Sequence, residues 1–199
     1  MPNWQIGFNT DYAHLVEIRE TVLWLRDNVR PVALGEPRPL GDAWQPPSAR
    51  FIRDEEVIKE IPDDTPPPPY LRDGAFSRYH GVLALSEHAV EVLSPLIGTA
   101  AELLPLDCEE GAFYLLNVLL VLDCFDRERA EIVYREDGSI RTVRRYAFQA
   151  GCLDGKHIFR LPSHNYSRIY ISQTFKDTAE QNGLKGLTFE LAPWEVQGT

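Results

Sequence analysis

Long hydrophobic runs are missing from this sequence. No segment approaches the ~18 consecutive apolar residues of a membrane-spanning helix, and the longest run, around Val118–Leu122, has the length of a core strand. The N-terminus lacks the basic start and apolar stretch of a secretory signal. Apolar residues still make up 44% of the chain, which suits a globular core. We therefore expect a soluble, cytoplasmic protein that makes no membrane contact.

Cysteine is scarce as well. Cys108, Cys124 and Cys152 are widely spaced, and no two of them form a Cys-x-x-Cys pair. This spacing disfavours both a zinc site and a disulfide framework. It predicts three buried free thiols in a reducing cytoplasm, because unpaired cysteine usually lies in a protein core.

The motifs of common enzymes are absent from the sequence. There is neither Gly-x-Gly-x-x-Gly nor Gly-x-x-x-x-Gly-Lys, which cradle phosphates, and no Gly-x-Ser-x-Gly of hydrolases. No histidine lies in a His-Glu-x-x-His pattern or at zinc spacing from a cysteine: His14, His80, His88, His157 and His164. The sequence predicts a protein that has no cofactor or metal and is not an enzyme.

Basic residues are missing from one long stretch. Residues 79–126 contain no Lys or Arg but carry Glu87, Glu91, Glu102, Asp107, Glu109, Glu110, Asp123 and Asp126. Residues 127–168 then hold nine basic and five acidic residues. The net charge of −10 argues against nucleic-acid binding. The segregation predicts one acidic and one basic face, unless folding mixes the two segments.

One acidic group could carry chemistry. Asp123, Asp126 and Glu128 follow the apolar run and could perform acid–base catalysis in a small hydrolase, or bind a divalent metal. The interpretation we favour is structural. In it, the carboxylates cap the strand end and pair with Arg127, Arg129 or other arginines.

Two further groups are weaker candidates. A thiol, a carboxylate and an imidazole lie together at Cys152, Asp154 and His157, as in some nucleophilic sites. Their crowding into one loop favours a structural role, because catalytic residues usually come from separate elements. Three arginines could hold an anion, although a solvated hairpin face is the simpler interpretation: Arg141, Arg144 and Arg145.

The prolines are concentrated in one part of the chain. Ten of the fifteen prolines fall between Pro31 and Pro69, and the last four predict an extended polyproline spacer. We therefore divide the chain into a proline-rich N-terminal lobe, residues 1–69, and an α+β domain, residues 70–199.

The N-terminal lobe is expected to contain one helix. Trp4–Phe8 alternates like a strand, and apolar spacings of three and four then predict a helix. Thr10 or Asp11 can cap this helix, and Pro31 ends it. Phe51–Ile61 fits either a strand or a short helix.

Residues 70–199 predict a mixed or largely antiparallel sheet with a few helices. Two strands each end at a serine that can cap a helix, namely Gly81–Leu85 with Ser86 and Arg168–Ile171 with Ser172. A strand follows each helix, at Glu102–Leu106 and at Leu187–Leu191. The strand–serine–helix–strand order therefore occurs twice, which indicates a possible internal repeat.

Between the two copies lie a buried strand and a hairpin. Ala112–Leu122 is apolar enough for a strand that is buried on both faces. Asp137-Gly138 predicts a tight turn that joins Glu131–Tyr134 to Ile140–Phe148. Imperfect alternation predicts a bulge near Arg144.

Several blocks keep a characteristic order between residues 70 and 192: Val82–Ser86, Phe113–Val118, Val121–Glu128, Ile158–Pro162, Ile169–Ser172 with Phe175 and Lys176, and Gly183–Phe189. In this order they resemble immunity protein family eleven of the bacterial polymorphic toxin systems. Ala130 stands where the family usually has Ser, a departure that bears on packing. Residues 1–69 show no such resemblance.

The resemblance implies a partner and a place of action. Proteins of this family are thought to bind and neutralise a cognate toxin in the producer's cytoplasm, in bacterial competition by contact-dependent or type VI secretion. The resemblance implies no catalytic site and no cofactor. It leaves open the toxin's activity and the oligomeric state.

The charge pattern adds a hypothesis about the interface. An acidic inhibitor suits a basic toxin domain, so the predicted toxin-binding residues are Glu102, Asp107, Glu109, Glu110, Asp123, Asp126 and Glu128. Two alternatives stay open. One is the small hydrolase at Asp123–Glu128, and the other is a ligand-binding regulatory module with a pocket at Asn117.

Overall fold

A computed structural model describes residues 3–8, 14–17, 37–52, 74–76, 82–163 and 166–192. These ranges form mostly antiparallel sheets with two helices, which confirms the predicted α+β class. Within them, neither helix has the length and hydropathy needed to cross a membrane. The predicted polyproline spacer and the boundary at residue 70 lie outside the described ranges.

The strands fall into four groups. They are β1 (Asn3–Phe8), β2 (His14–Glu17), β3 (Ser48–Ile52), β4 (Gly74–Phe76), β5 (Leu83–Ser86), β6 (Ala101–Pro105), β7 (Asp107–Cys108), β8 (Phe113–Val118), β9 (Glu131–Tyr134), β10 (Ile140–Arg145), β11 (Ile158–Arg160), β12 (Ile169–Ser172) and β13 (Leu187–Leu191). The central sheet has the order β4-β5-β8-β6, and the terminal sheet has the order β11-β12-β1-β13. A small sheet, β2-β3-β7, and the β9–β10 hairpin complete the set.

Two helices begin at the predicted serines. Helix α1 (Glu87–Ile97) is capped by Ser86, whose Oγ accepts from the Ala89 amide at 3.1 Å. Helix α2 (Gln173–Gln181) is capped in the same way by Ser172, at 3.2 Å from the Phe175 amide. Such caps satisfy amides that have no partner within the helix. Both predicted caps are confirmed, and so is the second occurrence of the strand–serine–helix–strand order.

The helices share one core with both larger sheets. The buried faces of the helices consist of Ala89, Leu93 and Ile97 of α1 and of Phe175 and Ala179 of α2. They pack with Ile6, Leu85, Leu116 and Ile171, among others. The opposite face of the central sheet forms a second core, which Trp44 partly covers. The central sheet is therefore covered on both faces, which explains why β8 is almost entirely apolar.

Strand β1 lies inside the terminal sheet. It pairs with β12 on one side and β13 on the other, so that Trp4 stands opposite both Ile171 and Leu191. The Trp4 indole also donates to Gln173 Oε1 at 2.8 Å. The N-terminal strand is therefore paired to strands from the C-terminal part, while the division at residue 70 stays a prediction.

The predicted N-terminal helix is wrong where the structure describes it. Residues His14–Glu17 form β2, which pairs antiparallel with β3. Hydrogen bonding to a neighbouring strand here overrides the local apolar spacing, which is a weak guide to conformation. The rest of the predicted helix, and Phe51–Ile61 beyond Ile52, lie outside the described residues.

The predicted hairpin is present. Strands β9 and β10 pair across a turn in which Gly138 has φ +82°. Two register shifts lie in β10, between Ile140 and Thr142 and between Val143 and Arg145. The second shift confirms the predicted bulge. The hairpin packs on the body through Ile140 and Val143, which belong to a third core together with Phe125, Tyr146 and Phe159.

A disulfide braces this third core, which corrects the prediction of three free thiols. Cys124 and Cys152 are bonded; their Cα atoms are 6.1 Å apart, and the two residues are 28 positions apart in sequence. Cys124 lies close to Cys152 because the segment after β8 runs beside the segment around Phe148. Phe125 pairs with Phe148, and the Gln149 amide donates to Cys124 O at 2.9 Å. Cys108 is the free cysteine among the described residues.

Candidate interaction surfaces

Three of the predicted toxin-binding residues lie together between β6 and β8, in the short strand β7 and the turn that follows it. This acidic turn comprises Asp107, Glu109 and Glu110, all of them exposed. The Leu106 amide donates to Phe113 O at 2.9 Å, which closes the turn at one end of the central sheet. The Glu87 amide donates to Ala112 O at 3.0 Å, so the acidic start of α1 lies beside it.

The acidic turn is held in place by neighbouring polar groups. Asp107 Oδ2 accepts from Ser48 Oγ at 2.9 Å, and the Asp107 amide donates to Pro47 O at 3.0 Å. The Cys108 thiol donates to Glu110 Oε2 at 3.1 Å. Burial, together with this acidic neighbour, raises the pKa of Cys108 to about 12. The thiol therefore stays protonated at neutral pH and remains a hydrogen-bond donor.

Glu102 is bonded to other parts of its own chain. Its carboxylate accepts hydrogen bonds from the amides of Leu40 and Gly41, at 2.9 and 2.7 Å, and from Asn117 Nδ2 at 3.1 Å. Burial raises the pKa of Glu102, but these three bonds outweigh it and hold the pKa below its usual value. The carboxylate binds an N-terminal segment of its own chain to the edge strand β6.

The same segment contacts Asn117, where the sequence suggested a ligand pocket. Asn117 is buried, and its Nδ2 donates to Arg38 O at 3.0 Å as well as to Glu102. The Trp44 indole donates to Pro105 O at 2.8 Å, further along β6. The Asn117 Nδ2 is therefore already bonded within the chain, to Arg38 O and to the Glu102 carboxylate.

Glu102→Gln should destabilise the protein. An amide cannot accept from three donors as a carboxylate does, so we expect the free energy of unfolding at pH 7 to fall by about 2 kcal/mol. The exposed Glu91→Gln in α1 is the matched control and should change little. Urea denaturation measures both.

The same substitution should change the pH dependence of stability. The folded-state pKa of Glu102 lies below its ordinary value of 4.5. The stabilisation by this carboxylate is therefore present above the unfolded pKa and is lost as pH falls through the folded pKa. The difference between wild type and Glu102→Gln should therefore shrink below about pH 4. An equal difference at pH 3 and pH 7 would contradict this role.

The remaining predicted residues lie beyond the other end of β8. Asp123 accepts from Arg127 through both carboxylate oxygens, at 2.8 and 3.1 Å. Asp126 Oδ1 accepts from the amides of Glu128 and Arg129 at 3.2 Å and so caps a turn. These contacts confirm the structural interpretation of the first two carboxylates. Glu128 is exposed.

The weaker chemical candidates have structural contacts as well. Cys152 is bonded to Cys124 and offers no thiol, while His157 Nδ1 lies 2.9 Å from Ser172 Oγ. Arg144 forms an exposed ion pair with Glu131 at 3.2 Å. Over the described part of the chain, no group of three or more His, Cys, Asp or Glu side chains is placed to hold a metal ion.

A surface that the sequence did not reveal lies at the end of the hairpin. Tyr134 is 45% exposed, although its strand partner Ile140 is buried. Arg127 Nη1 donates to the Tyr134 hydroxyl at 2.6 Å, and the hydroxyl and Asp123 together raise the pKa of Arg127. Beside this tyrosine is a shallow, open depression lined by Tyr134, Arg135, Glu136, Asp137 and Arg141. No local sequence signal separates Tyr134 from the core aromatics of neighbouring strands.

Comparison with known proteins supports the suspected resemblance. Residues 106–192 match the model of the Immunity protein family (Imm11). This range contains the acidic turn, the segment after β8, the hairpin and the second strand–serine–helix–strand unit, while Glu102 lies outside it. No curated protein matches the chain. The match covers 87 of the 199 residues and is a similarity to this family.

Proposed function

We propose that this protein is an immunity protein that binds a cognate bacterial toxin and neutralises it in the cytoplasm of the producing cell. The family match over residues 106–192 is the observation that carries this proposal. The contacts of the acidic groups favour binding over hydrolysis. Asp123 is paired with Arg127 and Asp126 caps a turn, so both carboxylates already have structural partners.

The acidic turn is the surface best suited to a basic toxin. Asp107, Glu109 and Glu110 are exposed, and the acidic start of α1 lies next to them. Residues 79–126 contain no Lys or Arg. Like-charged groups on a braced turn speed the capture of an oppositely charged protein by electrostatic steering.

The predicted residues lie on both sides of β8 along the chain. Strand β8 runs from Phe113 to Val118, a length of about 17 Å at the usual rise per residue. The acidic turn precedes β8, while Asp123, Asp126 and Glu128 follow it. Glu102 is engaged within the chain. We therefore propose the acidic turn as the principal toxin contact among these carboxylates.

Reversing the charge of the acidic turn should slow toxin capture. For the double variant Glu109→Lys and Glu110→Lys we expect the association rate to fall about tenfold at low salt, with a smaller difference at high salt. Stopped-flow fluorescence with the purified toxin domain measures this rate. Asp154→Lys with Glu190→Lys makes the same charge change at other exposed sites and should have a smaller effect. Equal rates for both double variants would exclude the acidic turn.

Growth of a toxin-expressing cell tests the proposed function itself. The toxic C-terminal domain encoded beside this protein is expressed in the cytoplasm, with and without the protein. Restored growth, together with a complex that co-purifies, is the expected result. Continued growth arrest in the presence of abundant folded protein would refute the proposal. Protection against a toxin sent only to the periplasm would refute the cytoplasmic site of action.

A further inference from the structure

The disulfide closes a loop that contains the whole hairpin. Strands β9 and β10 lie between Cys124 and Cys152 in sequence. At the base of this loop, the Asp126 amide donates to Ala147 O at 2.8 Å, and the Gln149 amide donates to Cys124 O at 2.9 Å. The disulfide lies just beyond these two hydrogen bonds. It therefore ties the two ends of the hairpin segment together.

The two bonded cysteines differ in exposure. Cys124 is 3% exposed, whereas Cys152 is partly exposed. Cys152 lies in a series of turns, in which its amide donates to Gln149 O at 3.2 Å and the Asp154 amide donates to Gly151 O at 3.1 Å. Thiol–disulfide exchange depends on access to the sulfur. A small thiol or disulfide from solution therefore reaches Cys152 first.

The third cysteine does not compete for this bond. Cys108 lies in β7, and its pKa is raised to about 12 by burial and by its acidic neighbour. The thiolate is the form that attacks a disulfide. Exchange at neutral pH is therefore confined to Cys124 and Cys152.

We propose that Cys124 and Cys152 form a reversible thiol–disulfide switch, in which Cys152 is modified first and glutathione disulfide is the oxidant. This inference rests on the cytoplasmic location that belongs to the proposed function. Disulfides are rare in a reducing cytoplasm, and those that form there are usually transient and redox-sensing. The two Cα atoms lie 6.1 Å apart, so the bond can form without backbone movement.

Oxidation takes two exchange steps. The Cys152 thiolate attacks one sulfur of glutathione disulfide, which forms a mixed disulfide and releases one glutathione thiolate. The Cys124 thiolate then attacks Cys152 Sγ, which forms the internal bond and releases the second glutathione thiolate. The two protein thiols lose two electrons and two protons, and glutathione disulfide gains them as two thiols. Reduced glutathione reverses both steps.

Reduction leaves the hairpin attached to the body by noncovalent contacts. Ile140 and Val143 still pack in the third core. The base of the hairpin loses its covalent link, whereas the central sheet keeps its own strand pairing. We therefore expect the switch to change the mobility of the hairpin and to leave the central sheet unchanged.

Glutathione buffers test the switch on the purified full-length protein. Samples are equilibrated, trapped with acid and alkylated, and their thiols are counted by mass spectrometry. The pair should pass from about one tenth to about nine tenths oxidised over an about eightyfold change in the ratio of glutathione disulfide to the square of reduced glutathione. Cys108→Ser should keep this transition, and Cys152→Ser should abolish it. A pair that stays bonded in reduced glutathione alone, or open in glutathione disulfide alone, overturns the switch.

Nuclear magnetic resonance relaxation measures the effect on the folded protein. Backbone order parameters in β9 and β10 should fall on reduction from about 0.85, typical of rigid backbone, to about 0.7, while those of β5 and β8 stay the same. Cys152→Ser should resemble the reduced protein. Unchanged order parameters in the hairpin, or unfolding of the whole reduced chain, would overturn the switch.

Acid trapping from cells separates this inference from the proposed function. The pair should be mostly reduced during growth and mostly oxidised after treatment with diamide, a thiol oxidant. A pair that is bonded in both samples, or open in both, overturns the switch and leaves the toxin-binding experiments untouched. Failure to bind the toxin removes the proposed function and does not alter the redox result.

Discussion

Cys152→Ser should lower the free energy of unfolding by about 3 kcal/mol, because the disulfide closes a long loop in the unfolded chain. The bond joins residues that are 28 positions apart. It also holds the segment after β8 against the loop that follows Phe148, beside the aromatic pair of Phe125 and Phe148, whose ring centroids are 5.5 Å apart. Cys108→Ser is the matched control and should cost much less, since a serine hydroxyl can still donate to Glu110.

Thiol counting and denaturation together measure this effect. The oxidised, unfolded protein should contain one reactive thiol and the reduced protein three, since Cys108 is the remaining cysteine. Chemical denaturation of the oxidised form should give the higher midpoint. A reducing cytoplasm keeps most thiols free, so protein trapped directly from cells shows which form acts there. Equal midpoints for the oxidised and reduced forms would contradict a stabilising disulfide.

A fragment of residues 70–199 should fail to fold alone, because the terminal sheet would lack its strand β1. Strand β1 pairs with both β12 and β13 and contributes the buried side chain of Ile6 to the main core. Trp4 adds a hydrogen bond to Gln173, and the Lys176 Nζ lies 4.9 Å from the Trp4 ring centroid. The loss in free energy of unfolding should be comparable to the roughly 5–15 kcal/mol that stabilises a typical domain.

Point substitutions in the full-length chain test the same contribution of β1. Ile6→Ala removes buried apolar contacts while β1 stays in place, and it should cost about 2–5 kcal/mol. Leu191→Ala changes a side chain that is 56% exposed on the neighbouring strand and should cost far less. Circular dichroism and thermal melting follow both the fragment and the variants. A fragment that melts cooperatively near the full-length temperature would instead support the predicted division at residue 70.

Local signals in the sequence predicted local structure well. The sequence predicts Ser86 and Ser172 as caps because a serine directly before an amphipathic stretch favours a hydrogen bond from a backbone amide of the first helical turn. The hairpin followed from Asp137-Gly138, since that dipeptide suits the positive φ of a tight turn. The apolar run that became β8 was long enough to indicate burial on both faces.

Features that depend on distant partners could not be predicted. Cys124 and Cys152 are joined because Phe125, in the segment after β8, pairs with Phe148. No residue adjacent to either cysteine indicates this pairing. The predicted helix at His14–Glu17 became a strand through pairing with β3. The sequence predicts Glu102 as a toxin-binding residue and gives no sign that its carboxylate accepts from Leu40 and Gly41, about sixty residues earlier. Composition gives the sign of a charge but does not show whether other groups of the same chain already bind it.

Titration of the toxin's purified activity with this protein tests the central claim most directly. A binder inhibits by occupying its target, so the activity should fall linearly with added protein to a break at a fixed molar ratio, independent of incubation time. Dissociation of the complex should restore the toxin unchanged. Progressive, irreversible loss of toxin activity at a small fraction of that ratio would show that this protein turns over its target, which contradicts the account.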